Sequence, residues 1–291
     1  MSTAADYDPT VTRLCERALV TVIGNVGPWA QQLYLVGGLA PRYLVEAQPE
    51  DATPHVGSRD VDLAIVIAVT DPSDAAYHTL EQNLKRAGFK QAPLEDDPDF
   101  RWRREIEGMS VTLEFLCETD QVAEGRMFKP KAGAGSRFQA FNVRGLHLVA
   151  EDFFVMSIEA ERLDDGGLAT AEVRVTGLLP FIVLKAFAFK DRHEPKDAYD
   201  PIWVLLHHHN GPEEAGRHMA ESPVASDVLV EEARQLLRER YASPAHDGPA
   251  AYASFHGSVG GAEELARSRQ EAFEVVRLAL DAFERARTDD T

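Results

Sequence analysis

The sequence predicts an α/β (α+β) domain over residues 1–176, a mixed sheet with flanking helices, followed by a helical domain over 177–291. Three observations carry this. Short apolar runs at Leu33–Val36, Val61–Val69 and Val111–Cys117, the middle one β-branched, alternate with helical spacing in the first part. Two hairpin signals, at Glu107-Gly108 and Asp164-Asp165-Gly166-Gly167, lie in the same part. After Gly177-Leu178-Leu179-Pro180 the strand signals stop and only helical spacing remains.

The elements follow in order. Residues 9–27 carry apolar side chains at helical spacing, with Asp8 as cap and Pro9 in the first turn. Leu33–Val36 is a strand running into Gly37-Gly38, and Leu39–Glu46 reads as a helix. Pro and Gly signals make the segment up to Arg59 a loop. Val61–Val69 is almost wholly apolar, as a strand covered on both faces would be. Asp74–Ala87 is an amphipathic helix stopped by Gly88. An acidic loop leads to a hairpin of 101–106 and 111–117, and a Gly- and Lys-bearing loop covers 125–136. Phe153–Arg162 and Ala171–Thr176 form a second hairpin. The helices expected afterwards are 181–190, 202–209, 228–241 and 262–287, with 242–261 a loop.

Composition narrows the function classes. With 48 acidic and 30 basic residues the formal charge is −18, which argues against an extended nucleic-acid surface, since phosphate neutralisation needs clustered cations. The same charge suits a cationic small substrate or a basic protein. No apolar run reaches the roughly 18 residues of a membrane span, and the acidic, polar start does not read as a secretory signal. The two cysteines, Cys15 and Cys117, make no disulfide framework, so the expected compartment is the cytoplasm.

The chemistry concentrates in a few residues. Asp60 and Asp62 open a strand, and residues two apart share a face, so the carboxylates point the same way. Two such charges repel unless a cation lies between them, and Mg²⁺ is held by one or two carboxylates plus substrate phosphates. Gly37-Gly38 closes a strand and lets backbone N–H groups approach a phosphate. Glu114 is the lone acid inside an apolar strand, a costly placement unless it is paired or metal-bound. Glu118, at that strand's exit, ranks below it. Lys185, Lys190, Arg192 and Lys196 form a basic group that reads as a triphosphate clamp. Asp200 precedes Pro201 and reads first as a helix cap. His207-His208-His209 closes a helix where consecutive side chains diverge, so the three read as helix-end charges rather than metal ligands.

Gly-Gly, then Ser58-Arg59-Asp60-Val61-Asp62-Leu63, then a third acid on another strand, resembles the DNA polymerase β-type nucleotidyltransferase superfamily. The string from Leu184 to Leu206, with Lys185, Arg192 and the Lys196-Asp197-x-x-Asp200 motif, resembles its AbiEii-type branch, the nucleotidyltransferase toxins of type IV toxin–antitoxin systems. The resemblance covers about residues 30–210. It implies transfer of a nucleoside monophosphate from a nucleoside triphosphate to an acceptor hydroxyl, with Mg²⁺ on Asp60, Asp62 and Glu114. Nucleotide contacts would come from Gly37, Gly38, Ser58, Arg59, Lys185, Arg192, Lys196, Asp197 and Asp200. The acceptor would be RNA, protein or a small molecule of the aminoglycoside kind, with an antitoxin as partner. A binding protein that kept the fold without turnover is the non-catalytic alternative. Leu39 stands where the branch usually has a small hydroxyl residue, and Pro201 interrupts what is commonly a continuous helix.

Overall fold

A computed structural model describes residues 3–45, 54–65, 74–91, 101–129, 138–256 and 261–289. The chain divides into two compact units, one of residues 8–40 and 57–176, the other of 1–7, 41–56 and 177–291. The expected change of character at 177 coincides with one crossing between the units. Two stretches from the first part, 1–7 and 41–56, belong with the helices.

The sheet unit opens with α1 (Pro9–Asn25), where the Asp8 carboxylate accepts from the N–H of Thr10 at 2.7 Å and Pro9 holds the first position. Leu14, Cys15, Ala18, Leu19 and Val22 form its buried stripe. A 3₁₀ turn, Gly27–Gln32, leads into β1 (Leu33–Val36). A second 3₁₀ turn at Gly37–Leu39 follows, and the chain passes to the helical unit for α2 (Pro41–Leu44). The helix expected over 39–46 is thus a single turn, because Leu39 and Ala40 are consumed in the tight turn and Pro41 restarts the chain.

Back in the sheet unit come β2 (Asp60–Ile65) and α3 (Asp74–Arg86). Residues 66–69 of the expected strand lie outside the described residues. The remaining elements are β3 (Lys90–Gln91), β4 (Arg101–Ile106), β5 (Met109–Cys117), β6 (Met127–Phe128), β7 (Ala140–Asn142), α4 (His147–Glu151), β8 (Phe153–Glu161) and β9 (Leu168–Thr176). Among the described residues nine strands make one sheet, ordered β3-β4-β5-β2-β1-β9-β8, with β7 beside β5 and β6 beside β7. The sheet is mixed: β2 runs parallel to β5, and β1 runs antiparallel to β2 and parallel to β9. Both expected hairpins are present, β4–β5 and β8–β9. The first turns at Glu107 (φ 50°) and Gly108 (φ 81°), the left-handed pair that a two-residue hairpin turn requires.

Alternation positions the site. In β5, Val111, Leu113, Phe115 and Cys117 are fully buried, while Thr112, Glu114 and Leu116 between them are partly exposed. The start of β2 alternates likewise, with Val61 and Leu63 inside and Asp60 and Asp62 on the opposite face. Only at Ala64 and Ile65 does the strand become apolar on both sides, so the reading of full coverage holds for its end and not its beginning.

The helical unit contains α5 (Leu178–Arg192), α6 (Pro195–His207), α7 (Pro212–Glu221), α8 (Val228–Arg240), α9 (Asp247–His256) and α10 (Gly261–Asp289). Three differences from the sequence reading stand out. First, α6 begins at Pro195 after Glu194 and runs through Pro201, so Asp200 lies inside the helix and caps nothing. Two acid-proline pairs compete as start signals here, and the earlier one is used. Second, α7 occupies residues left without an element, although Pro212, Glu213 and Glu214 are ordinary first-turn residues. Third, α9 replaces half of an expected loop, because Tyr252, Ala253 and Phe255 bury themselves despite weak amphipathic spacing. Among the described residues no helix is long and apolar enough to cross a membrane.

Candidate active site

Asp62 and Glu114 are register partners on the parallel strands β2 and β5, and Asp60 sits opposite Thr112 two residues away. Register partners share a face, as do residues two apart in one strand, so the three carboxylates project from one side of two adjacent strands. Each is partly exposed.

The surroundings fix these side chains individually. The Ser58 hydroxyl donates to Oδ1 of Asp60 at 2.8 Å. Ser58 itself is buried and tied to α1: its N–H donates to the Thr12 hydroxyl at 3.2 Å, and its carbonyl accepts from that hydroxyl at 3.2 Å and from the Cys15 thiol at 3.8 Å. Burial pushes the Cys15 thiol upward, and Asp60 and Asp62 add to that shift, so it stays a neutral thiol behind the carboxylates. Glu114 accepts from Nε of Arg101 at 2.6 Å. The lone acid in an apolar strand is therefore paired, by the residue opposite it on β4.

Gly37 fits this corner by geometry alone. Val36 lies opposite Asp62, and Gly37 turns the chain away with φ +67°. A Cβ on Gly37 would fall 1.7 Å from Oδ2 of Asp62, so any side chain there would drive out the carboxylate. Backbone and carboxylate thus stand in direct apposition. Gly38 is buried in the same 3₁₀ turn. Leu39 is fully buried in the core, which accounts for the apolar residue after the two glycines. With α2 reduced to one turn, little helix dipole is left to aid an anion at this corner.

Arg59 is exposed beside Asp60. Glu118 takes a structural part: it accepts from the N–H groups of Gly145 (2.9 Å) and His147 (2.7 Å), capping α4.

The residues of the later motif gather within the helical unit. Lys185 is buried, with Nζ 3.1 Å from Oδ1 of Asp197 and 2.7 Å from Oδ2 of Asp200. Arg192 grips Asp197 through Nε at 2.6 Å and a terminal nitrogen at 2.8 Å, a bidentate pair. Lys196 reaches both oxygens of Asp200, at 2.8 and 2.9 Å, and Nε2 of His55 lies 3.0 Å from Oδ1. Burial alone would raise both aspartates, but Lys185 with Lys196 holds Asp200, and Lys185 with Arg192 holds Asp197, below the usual carboxylate range. Burial pulls Lys185 the other way, and Asp200 and Asp197 more than restore it. Three cations face two carboxylates, so Lys185, Arg192 and Lys196 serve first as each other's electrostatic frame. Arg192, with its side chain 61% exposed, is the member nearest to solvent. Lys190 pairs separately with Glu232 at 3.6 Å.

His55 is buried under Tyr199 and Trp203, and burial lowers its pKa from 6.5 to about 4 against the pull of Asp200. The unfolded chain accepts a proton there below pH 6.5, while the folded chain resists until about 4. Stability should therefore fall as pH drops through that window, by about 3 kcal/mol at its lower end. Urea titrations at pH 7 and pH 4.5 will show this loss in the wild type and a smaller one in His55→Gln. Equal losses in the two proteins would remove His55 as the cause.

The donor set fits Mg²⁺. Three carboxylates offer hard oxygen ligands on one face, and that ion keeps waters and takes few protein ligands. Among the described residues, the one group of three metal-ligating side chains with all ligand atoms inside 4.8 Å is a different one, so the oxygens of Asp60, Asp62 and Glu114 are spread more widely than that.

No protein-family model and no curated protein matches the chain. Solved structures do. It is similar to a solution structure of the antibiotic-resistance factor ANT(2'')-Ia, at 19% identity over 78% of this chain and 95% of that one, with a TM-score of 0.33. It is also similar to a crystal structure of ANT(2'')-Ia in complex with adenylyl-2''-tobramycin, at 16% identity over 75% of this chain and 98% of that one, again at 0.33.

Proposed function

We propose that the protein is a nucleotidyltransferase that moves a nucleoside monophosphate from a nucleoside triphosphate to an acceptor hydroxyl. The observation that carries this is the corner where Asp60, Asp62 and Glu114 share one sheet face with the Gly37 backbone against Asp62. What supports the reading is that carboxylates two apart on one strand, with a third on the neighbouring strand, suit a divalent cation and the phosphates it carries.

Asp60, oriented by Ser58, and Asp62, backed by Gly37, would hold Mg²⁺ together with Glu114. The ion would supply charge neutralisation to the phosphate oxygens. In the transfer the acceptor oxygen bonds to the α-phosphorus, and the bond from that phosphorus to the bridging oxygen breaks. Pyrophosphate leaves with the electron pair. The hydroxyl proton passes to the Glu114 carboxylate, which must first release Arg101; Arg101 then remains as a cation beside the phosphates. Backbone N–H groups of Gly37 and Gly38, the Ser58 hydroxyl and the exposed Arg59 are the phosphate contacts in this reading. Arg192 and Lys196 are its nucleotide-binding candidates in the helical unit, with Lys185, Asp197 and Asp200 holding them.

The finer reading is an AbiEii toxin-like enzyme acting on RNA or protein under an antitoxin partner. Its support is the Lys185-to-Asp200 string. The −18 charge favours instead a cationic acceptor of the aminoglycoside kind. Incubation with each α-labelled nucleoside triphosphate, Mg²⁺ and, in turn, total RNA, cell protein or aminoglycosides decides between them. Label on RNA or protein supports the toxin-like reading, and label on the aminoglycoside supports the small-molecule one. No label on any acceptor, with no pyrophosphate released, would overturn the enzyme reading.

A further inference from the structure

A second cluster of ligand-type side chains lies within the helical unit. Helix α6 ends at His207, and His208 follows as its cap residue, its N–H bonded to the Val204 carbonyl at 2.8 Å. The chain then bends sharply. His209 takes a left-handed φ of 43°, which costs a non-glycine residue free energy, and Gly211 starts α7 at φ 95°. That bend turns His209 back, and α7 returns His218 to the same spot. The ligand-type ring nitrogens of His208, His209 and His218 all lie within 4.8 Å of one another. Nε2 of His208 is 2.8 Å from Nδ1 of His218. His207 takes no part; its ring faces Trp203, with centroids 4.9 Å apart.

We propose that His208, His209 and His218 form a binding site for a borderline divalent cation, Zn²⁺ in the first instance. Four features carry it. Three imidazoles are the donor set that such ions take, and hard Mg²⁺ disfavours it. Tetrahedral bonds of about 2.0–2.1 Å put ligand nitrogens about 3.4 Å apart, a spacing between the observed 2.8 Å contact and the 4.8 Å limit, so small ring rotations suffice. His208 is buried, and its Nδ1 lies 3.2 Å from the Leu44 carbonyl. A carbonyl only accepts, so Nδ1 carries the proton and Nε2 presents its lone pair toward the other two rings. A backbone carbonyl holding the far nitrogen is the usual outer support of a metal-bound imidazole. Finally, His209 and His218 are exposed, which gives an ion a path in. Glu214, one turn before His218, is engaged by Arg217 at 2.6 Å. An ion there would clasp the end of α6 to α7.

The test uses the untagged full chain, stripped with a chelator and titrated with Zn²⁺ in a calorimeter, with Co²⁺ as a spectroscopic substitute. The expected result is one Zn²⁺ per chain and a tetrahedral Co²⁺ spectrum, undisturbed by millimolar Mg²⁺. His209→Ala and His218→Ala, both at exposed positions, should each weaken binding about 10- to 100-fold. His246→Ala should bind as the wild type does. Binding that survives both histidine substitutions, or no Zn²⁺ binding by the wild type, would overturn the site.

Discussion

Replacing Asp60 and Asp62 together by Ala should abolish pyrophosphate release and acceptor labelling, by at least about a thousandfold, while leaving the fold intact. The magnitude follows from removing the principal counter-charges for a metal-assisted phosphoryl transfer, worth several kcal/mol in the transition state. The fold should survive because both side chains lie on the partly exposed face of β2, whereas Val61, Leu63 and Ala64 carry its packing. Pyrophosphate release by a coupled assay measures the first effect, and urea denaturation the second. A double variant that keeps more than a tenth of the wild-type rate would contradict the assignment. Gly37→Ala belongs to the same argument: it sets strain at φ +67° against a carboxylate that cannot stay in place, so it should lose activity without touching a charge.

Asp200→Ala should be the most destabilising single change in the helical unit. Asp200 is fully buried and receives Lys185, Lys196 and His55 at 2.7 to 3.0 Å. Its removal leaves Lys185 buried with one carboxylate in place of two and deprives Lys196 of its partner. Breaking a buried ion pair from one side costs about 3–5 kcal/mol. Adding Lys185→Met to Asp200→Ala removes the stranded charge, so the double variant should recover a large part of that loss. Urea midpoints of the wild type, both single variants and the double variant close this cycle. A cost for Asp200→Ala below about 1 kcal/mol would show that the network contributes little to stability.

Most of the architecture was legible because local signals agreed with it. Asp8-Pro9 starts α1, and Glu107-Gly108 turns the first hairpin at positive φ. The strands β1 and β5, and β2 as far as Ile65, read correctly from their apolar runs. What sequence could not supply was the long-range pairing. That β2 and β5 are parallel neighbours, with Asp62 opposite Glu114, depends on the strand order of the whole sheet. Arg101 as the partner of Glu114 follows from the hairpin register, which the turn at 107–108 fixes and which the sequence therefore contained. Asp200 misled for a different reason: Glu194-Pro195 and Asp200-Pro201 carry the same start signal, and only burial with Lys185 and Lys196 separates them. The histidine cluster was hidden because its third member, His218, comes from the next helix and not from the triplet.

The account stands on a cation and a nucleotide meeting at Asp60, Asp62 and Glu114, and calorimetry addresses this without needing the acceptor. Each of the four nucleoside triphosphates, made non-hydrolysable at the α–β bridge, would be titrated with Mg²⁺ into the wild type, Asp60→Ala/Asp62→Ala and Glu114→Gln. The account predicts Mg²⁺-dependent binding by the wild type, its loss in the double variant and a weaker isotherm for Glu114→Gln. Equal binding by all three proteins, or binding indifferent to Mg²⁺, would contradict it.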